Sequence, residues 1–217
     1  MLLRVGDLEM SFECHFTAAC DQGLLVRIPE RIVVRLLRSL EGARLHGVVN
    51  LHPAYSSILI RFDSLVTSHS EIECRVREMA ARLEEFADAP ARLVEIPVRY
   101  DGPDLADCAE LCKMTASEYS ERHASGLYTV YFLGFVPGFA YMGKLAEEIV
   151  VPRLATPRKS VPAGSVAVAN DQTAVYPIAT PGGWRLIGRT EVKLFDPSLA
   201  GLSLLHAGDQ VRFVPIR

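Results

Sequence analysis

Tryptophan occurs once in the 217 residues, at position 184, and nowhere do eighteen apolar residues follow one another. The second absence excludes a helix that spans a bilayer by sequence length and polarity. The opening Met1-Leu2-Leu3-Arg4-Val5-Gly6-Asp7 lacks the basic segment and long apolar stretch of a signal peptide, so a cytoplasmic location and no membrane partner are expected. There is no C-x-x-C pair, no H-E-x-x-H and no serine elbow, which removes the usual zinc, redox and acyl-transfer signatures. Five cysteines, Cys14, Cys20, Cys74, Cys108 and Cys112, are an odd number without metal-ligand spacing and are read as reduced packing residues. His46 and His52 make no recognised metal spacing either. No metal is expected, and no catalytic residue can be named. A net charge of −3 argues against nucleic acid as a partner.

What is present is the composition of a soluble globular chain of one or two domains, with 49% apolar and 23% charged residues. The charge is uneven. Residues 91–150 carry five Lys/Arg against nine Asp/Glu, and residues 151–217 carry eight against four. The basic last third is either scatter over a solvated surface or a site for anions.

The pattern along the chain changes once. Phe12, Cys14 and Phe16 alternate as in a strand, and Gly23 to Ile28 predicts a second. Ile32, Val33, Leu36, Leu37 and Leu40 repeat at helical spacing over Glu30 to Glu41, with Gly42 placed to end that helix. Strands are predicted at Leu45 to Leu51 and Ser57 to Asp63. A capping box of Ser70 with Glu73 then opens a long helix that buries Ile72, Val76, Met79, Leu83 and Phe86. With a strand at Leu93 to Tyr100, the order from residue 23 is that of a ferredoxin-like α+β domain. Two short helices follow, Asp104 to Met114 and Ser117 to Ala124, the second opened by Thr115 and Glu118. From Leu127 on, short β runs are broken by glycines and by seven prolines between Pro137 and Pro197, as in a closed or strongly curved β-barrel. The boundary is placed near Ala89-Pro90, giving an α+β domain over 1–90 and a β-barrel domain over 91–217.

Three stretches carry candidate chemistry. In Tyr128 to Gly143, six of sixteen residues are aromatic. Alternation assigns Tyr131 and Leu133 to a core, whereas Phe135, Phe139 and Tyr141, at a glycine-proline bend, suit a binding wall. In Pro152 to Pro177, Arg153, Arg158 and Lys159 lie within seven residues around prolines and either clamp a carboxylate or phosphate or form a solvated loop. Gln172 and Tyr176 add neutral groups that could orient an amide or carboxylate. In TPGGWRLIGRT, Gly183, Gly188, Arg189 and Thr190 come within one substitution of a phosphate-cradling loop, but the following Glu191 to Pro197 alternates and stops at a proline. A strand is expected there, with Gly182 and Gly183 permitting positive φ or close approach, Trp184 covering an apolar ring, and Arg185 and Arg189 sharing one face.

The segments GFVPGFAYMG (134–143), PRLATPRKSVPAGSVAVANDQTAVYP (152–177), TPGGWRLIGRT (180–190), LFDP (194–197) and GDQVRF (208–213), with PAYSSILIRFD (53–63) and IPVRYDGPDL (96–105) upstream, resemble the family of the 5-oxoprolinase B subunit, allophanate hydrolase subunit 1 and KipI. The resemblance implies an N-terminal α+β domain and a cyclophilin-like β-barrel. It implies a non-autonomous polypeptide that works with a second cyclophilin-like subunit (the 5-oxoprolinase C subunit) and a separate A subunit. Their reaction is the ATP-dependent opening of 5-oxo-L-proline to L-glutamate, with ATP and Mg2+ belonging to the complex and not held tightly by this chain. At the motif positions Arg153, Arg158, Arg185 and Arg189 are the candidates for carboxylate or phosphoryl oxygens, Gln172 and Tyr176 for the lactam, and Phe135, Phe139 and Trp184 for the walls. Ala146 and Ala207 replace an expected proline, and Asn170 and Asp101 an expected glycine. Other members of the family imply alternatives: a regulator that inhibits a sporulation-type histidine kinase, or part of a hydrolase for another amide in urea and allophanate metabolism.

Overall fold

The computed structural model of the chain describes residues 12–83, 90–198 and 201–216. It divides into two compact units, residues 1–88 and 89–217.

In the first unit β1 (His15–Cys20) and β2 (Gly23–Arg27) form a hairpin, followed by α1 (Glu30–Ala43), the hairpin β3 (Val48–Ala54) and β4 (Ser57–Phe62), and α2 (His69–Ala81). The sheet order is β1-β2-β4-β3, antiparallel throughout. Alternation along β2 and β4 buries Leu24, Val26, Ile58, Ile60 and Phe62, and α1 buries the five apolar residues its spacing predicted. Each such side chain contributes about 1.5–3 kcal/mol by leaving water. Ile72, Val76 and Leu83 are buried as expected, Met79 is half-buried, and Phe86 lies outside the described residues.

Three local expectations are corrected. Helix α1 runs through Gly42 and stops at Arg44, whose left-handed backbone (φ 44°, ψ 56°) lets its N–H donate to the Leu40 carbonyl. The capping box of α2 is Ser68 with Glu71, two residues earlier than Ser70 with Glu73. Both pairs have the right spacing, but Glu71 also accepts from Thr67 while Glu73 faces outward to pair with Arg77. The strand expected at Leu93–Tyr100 is β5 (Leu93–Val98), and it does not join this sheet. The place beside β2 that a ferredoxin-like order reserves for it is filled by β1, which reaches β2 through a two-residue turn at a smaller loop-closure cost.

In the second unit β5 is followed by α3 (Leu105–Leu111), α4 (Ala116–Ser125), β6 (Tyr128–Leu133) and β7 (Ala140–Gly143). A 3-10 turn (Glu147–Ile149) precedes β8 (Arg158–Val161), β9 (Ser165–Ala169), β10 (Gln172–Val175), β11 (Thr180–Gly182), β12 (Arg185–Arg189) and β13 (Gln210–Pro215). Seven strands form one sheet in the order β12-β9-β10-β7-β6-β13-β5, with β5 parallel to β13. Its two edges meet where Arg99 and Arg189 bridge, so the sheet is barrel-like. All five residues of β9 are buried. Its alternate residues therefore feed two apolar clusters: Val166 and Val168 join Tyr119, Tyr128, Ile187 and Phe213, while Ala167 and Ala169 join Phe139, Tyr176, Trp184 and Leu186. The tight β9–β10 turn holds Asn170 at φ 53°, which accounts for the glycine expected there.

Helix α4 opens with the Thr115–Glu118 box expected from sequence. It carries the fully buried His123, whose ring spans Tyr100 (OH to Nδ1, 2.8 Å) and Thr173 (Nε2 to Oγ1, 2.9 Å). Thr173 gives its one proton to the Ala167 carbonyl at 3.1 Å, so Nε2 carries the imidazole proton and Nδ1 accepts from Tyr100. Burial pushes the His123 pKa down to about 3. Among the described residues no helix is long and apolar enough to cross a membrane.

Candidate functional site

The segment between the 3-10 turn and β8 is fastened to the β11–β12 connection that carries Trp184 and to the start of β12. Leu154 N–H donates to the Gly183 carbonyl and Arg185 Nε donates to the Pro152 carbonyl, both at 2.9 Å, and β8 pairs with β11 with Gly182 opposite Arg158. These contacts leave Arg153 exposed and Arg158 half-buried at the two ends of the loop. Gly182 is required by packing, because a Cβ there would lie 2.3 Å from the Tyr176 hydroxyl oxygen. Neither Gly182 nor Gly183 has a positive φ, so the close approach is to Tyr176 and no left-handed turn is involved.

The aromatic residues sort by depth. Phe139 sits edge-on to Tyr141 (4.9 Å between ring centroids), Tyr176 (5.2 Å), Phe135 (5.4 Å) and Trp184 (5.6 Å). Phe139, Tyr176 and Trp184 are buried and belong to the core, not to an open wall, whereas Phe135 is 58% exposed beside Val136, Pro137, Phe195 and Leu202. Tyr141 is half-buried, in ring contact with Phe139 and Trp184 and within reach of the Arg153 charge. Burial raises the pKa of both Tyr141 and Tyr176 by more than the Arg153 charge lowers it, so each is a neutral phenol at neutral pH. A backbone hydrogen bond from Trp184 and the charge of Arg158 also act on Tyr176. Gln172, half-buried at the start of β10, shares a strand face with Ala174 in the same cluster.

The two arginines of β12 do not share a face. Arg185 lies opposite Val168 and Arg189 opposite Ser165, three residues apart on β9, because a bulge between Leu186 and Gly188 inserts one residue into β12. Arg189 is exposed and pairs with Asp101 at 2.9 Å. The structure thus brings together Arg153, Arg158, Tyr176, Trp184 and Phe139, uses Arg185 to hold the loop, and sets Arg189 apart.

Sequence reasoning missed Asp104, which was visible only as a helix start. It is buried, and it occupies the N-cap position of α3 without making a side-chain cap. Its Oδ1 accepts from Arg158 Nη2 at 2.6 Å and its Oδ2 from the Leu186 backbone N–H at 2.7 Å. Forgoing a cap costs about 1 kcal/mol. Arg158 Nη1 is buried and has no hydrogen-bond partner among the described residues, a deficit of about 1–3 kcal/mol. Among the described residues no group of three His, Cys, Asp or Glu could hold a metal ion. The stretch from Gly183 to Thr190 does not fit a phosphate loop either, since it contains strand β12 and no helix follows it among the described residues.

Residues 12–205 match the family described as the carboxyltransferase domain, subdomain C and D. The chain is 38% identical over 216 residues to the 5-oxoprolinase B subunit of Bacillus subtilis, covering 90% of each, and 52% identical over 134 residues to the 5-oxoprolinase B subunit of Escherichia coli O157:H7, covering 60% of this chain and 62% of that protein. Among solved structures it resembles TTHA0988 with a TM-score of 0.79 at 34% identity, covering 91% of this chain and 40% of that longer one.

Proposed function

The chain belongs to the family described as the carboxyltransferase domain, subdomain C and D, as one of its 5-oxoprolinase B-subunit members, and on that basis we propose that it is a non-autonomous, cytoplasmic subunit of an enzyme that opens 5-oxo-L-proline to L-glutamate. The observation that carries this reading is identity of 38% spread over 90% of both this chain and its Bacillus subtilis relative.

The substrate is a small five-membered lactam with a carboxylate, and the side chains of the loop and strand suit both parts. Arg153 and Arg158 are cations placed for the carboxylate. Tyr141, a half-buried phenol, and Gln172, a half-buried amide, are able to orient the ring amide, while Tyr176 is buried with the core cluster. Phe139 and Trp184 are the packed floor that holds these groups in place, and Arg185 keeps the loop seated. Opening the ring requires water to add at the lactam carbonyl carbon, the C–N bond to break and the nitrogen to take up a proton. No nucleophile or base in this chain is assigned to those steps, which is why partners are needed. ATP with Mg2+ would belong to the assembled complex, where it would supply the phosphoryl group that activates the lactam oxygen, leaving ADP, and that group would end as inorganic phosphate. The C subunit, a second cyclophilin-like polypeptide, and the separate A subunit complete that complex, with this chain's barrel-like unit read as the cyclophilin-like counterpart.

The test is complementation. A bacterial strain lacking its own 5-oxoprolinase B subunit, and supplied with this chain, should grow on 5-oxoproline as nitrogen source. Failure to grow while the chain accumulates in soluble form would contradict the assignment.

A further inference from the structure

Arg158 presents a half-used guanidinium. Nη2 is committed to Asp104 at 2.6 Å, while Nη1 is buried and has no acceptor among the described residues. A buried donor without a partner is rare in folded chains, and it invites an explanation beyond packing. The explanation lies with Asp104. Its carboxylate stands at the N-cap of α3, where an aspartate ordinarily accepts from the helix's own free N–H groups, yet both oxygens are turned away, one to Arg158 and one to the Leu186 N–H.

Asp104 cannot drift from that place. Its own N–H donates to the Leu186 carbonyl and Gly102 N–H to the Ile187 carbonyl, and Gly102 lies so close to β12 that a Cβ would fall 2.3 Å from the Leu186 carbonyl oxygen. The carboxylate is thus pinned to β12, the strand that Trp184 leads into and Arg185 opens. Arg158 is pinned in turn, and the Tyr176 phenol feels its charge.

We propose that Asp104 is a positioning residue that holds Arg158 so that Nη1 donates to an oxyanion of the bound reactants. The atom is covered by its neighbours, so the acceptor displaces part of that cover as it enters. This rests on the reading of the chain as part of a 5-oxoprolinase. The oxyanion is either the 5-oxoproline carboxylate or a phosphoryl oxygen of ATP, and both have the chemistry that a fixed guanidinium recognises.

The experiment uses the reconstituted complex carrying Asp104→Asn, Arg158→Gln or both, with calorimetric binding of 5-oxoproline and of inorganic phosphate to the full chain alongside. Asp104→Asn keeps the shape of the side chain and is the variant expected to fold. Each single variant should raise one KM about tenfold with kcat changed less than about threefold, and the double variant should be no worse than either single. A rise in KM for 5-oxoproline identifies the carboxylate, and a rise in KM for ATP the phosphoryl oxygen. If Asp104→Asn lowers only the melting temperature, leaving both KM values and both binding curves unchanged, the proposal is overturned. If the wild-type complex forms no glutamate but the chain binds 5-oxoproline or phosphate in an Asp104-dependent way, the site stands and the enzymatic assignment falls. Absence of activity together with absence of binding overturns both.

Discussion

Arg99 and Arg189 exchange two backbone hydrogen bonds, each 2.9 Å from nitrogen to oxygen, and in doing so join the two edges of the seven-stranded sheet. It is their main chains that close the sheet. The Arg189 side chain instead reaches Asp101 in an ion pair that is largely exposed, 63% and 39% for the two side chains.

Closure should therefore be sensitive to backbone fit and insensitive to the arginine. Gly188→Ala places a Cβ 2.6 Å from the Arg99 carbonyl oxygen and should cost about 1–3 kcal/mol. Arg189→Ala should cost less than about 1 kcal/mol. Denaturant midpoints of the two variants check this, and the reverse order would mean that the charge of Arg189 holds the barrel together.

Among the aromatic candidates, depth predicts the cost of truncation. Trp184→Ala and Phe139→Ala remove buried rings from one cluster and should each cost about 3–5 kcal/mol. Phe135→Ala should stay within about 1 kcal/mol, because its ring is mostly in water. Chemical unfolding separates these groups. Equal losses for Phe135 and Phe139 would show that the bend at 134–138 packs more tightly than its exposure implies.

His123 makes stability depend on pH in a definite direction. Its folded pKa is depressed to about 3, below the unfolded value of about 6.5, so only the unfolded chain binds its proton between those values. Stability is full above pH 6.5 and is lost as pH falls, by about 2 kcal/mol at pH 5 from this group alone. Unfolding free energies at pH 7 and pH 5, compared with those of His123→Gln, should show a shallower fall for the variant. An identical fall would mean that other groups set the acid response.

Much of this was legible in the residues, and the failures have local causes. The face of α1, the Thr115–Glu118 cap and the β-rich second half follow from periodicities of 3.6 and 2 and from turn chemistry. The partner of β5 was not legible, since pairing with β13 across more than a hundred residues leaves no mark in either strand. Nor was the bulge in β12, which separates Arg185 from Arg189 by inserting a single residue. Arg158 could be marked as a cation near prolines. That its guanidinium is held by Asp104 depends on how α3 meets β12, and an aspartate at a helix start looks like a cap until its oxygens are seen elsewhere.

The measurement closest to the central claim is L-glutamate release from 5-oxoproline and ATP by this chain combined with the second cyclophilin-like subunit and the A subunit, run beside mixtures that each omit one component. Glutamate should appear only in the complete mixture, with nothing from this chain by itself. Glutamate formed at an unchanged rate without this chain, or formed by this chain alone, would contradict its role as a non-autonomous subunit of a 5-oxoprolinase.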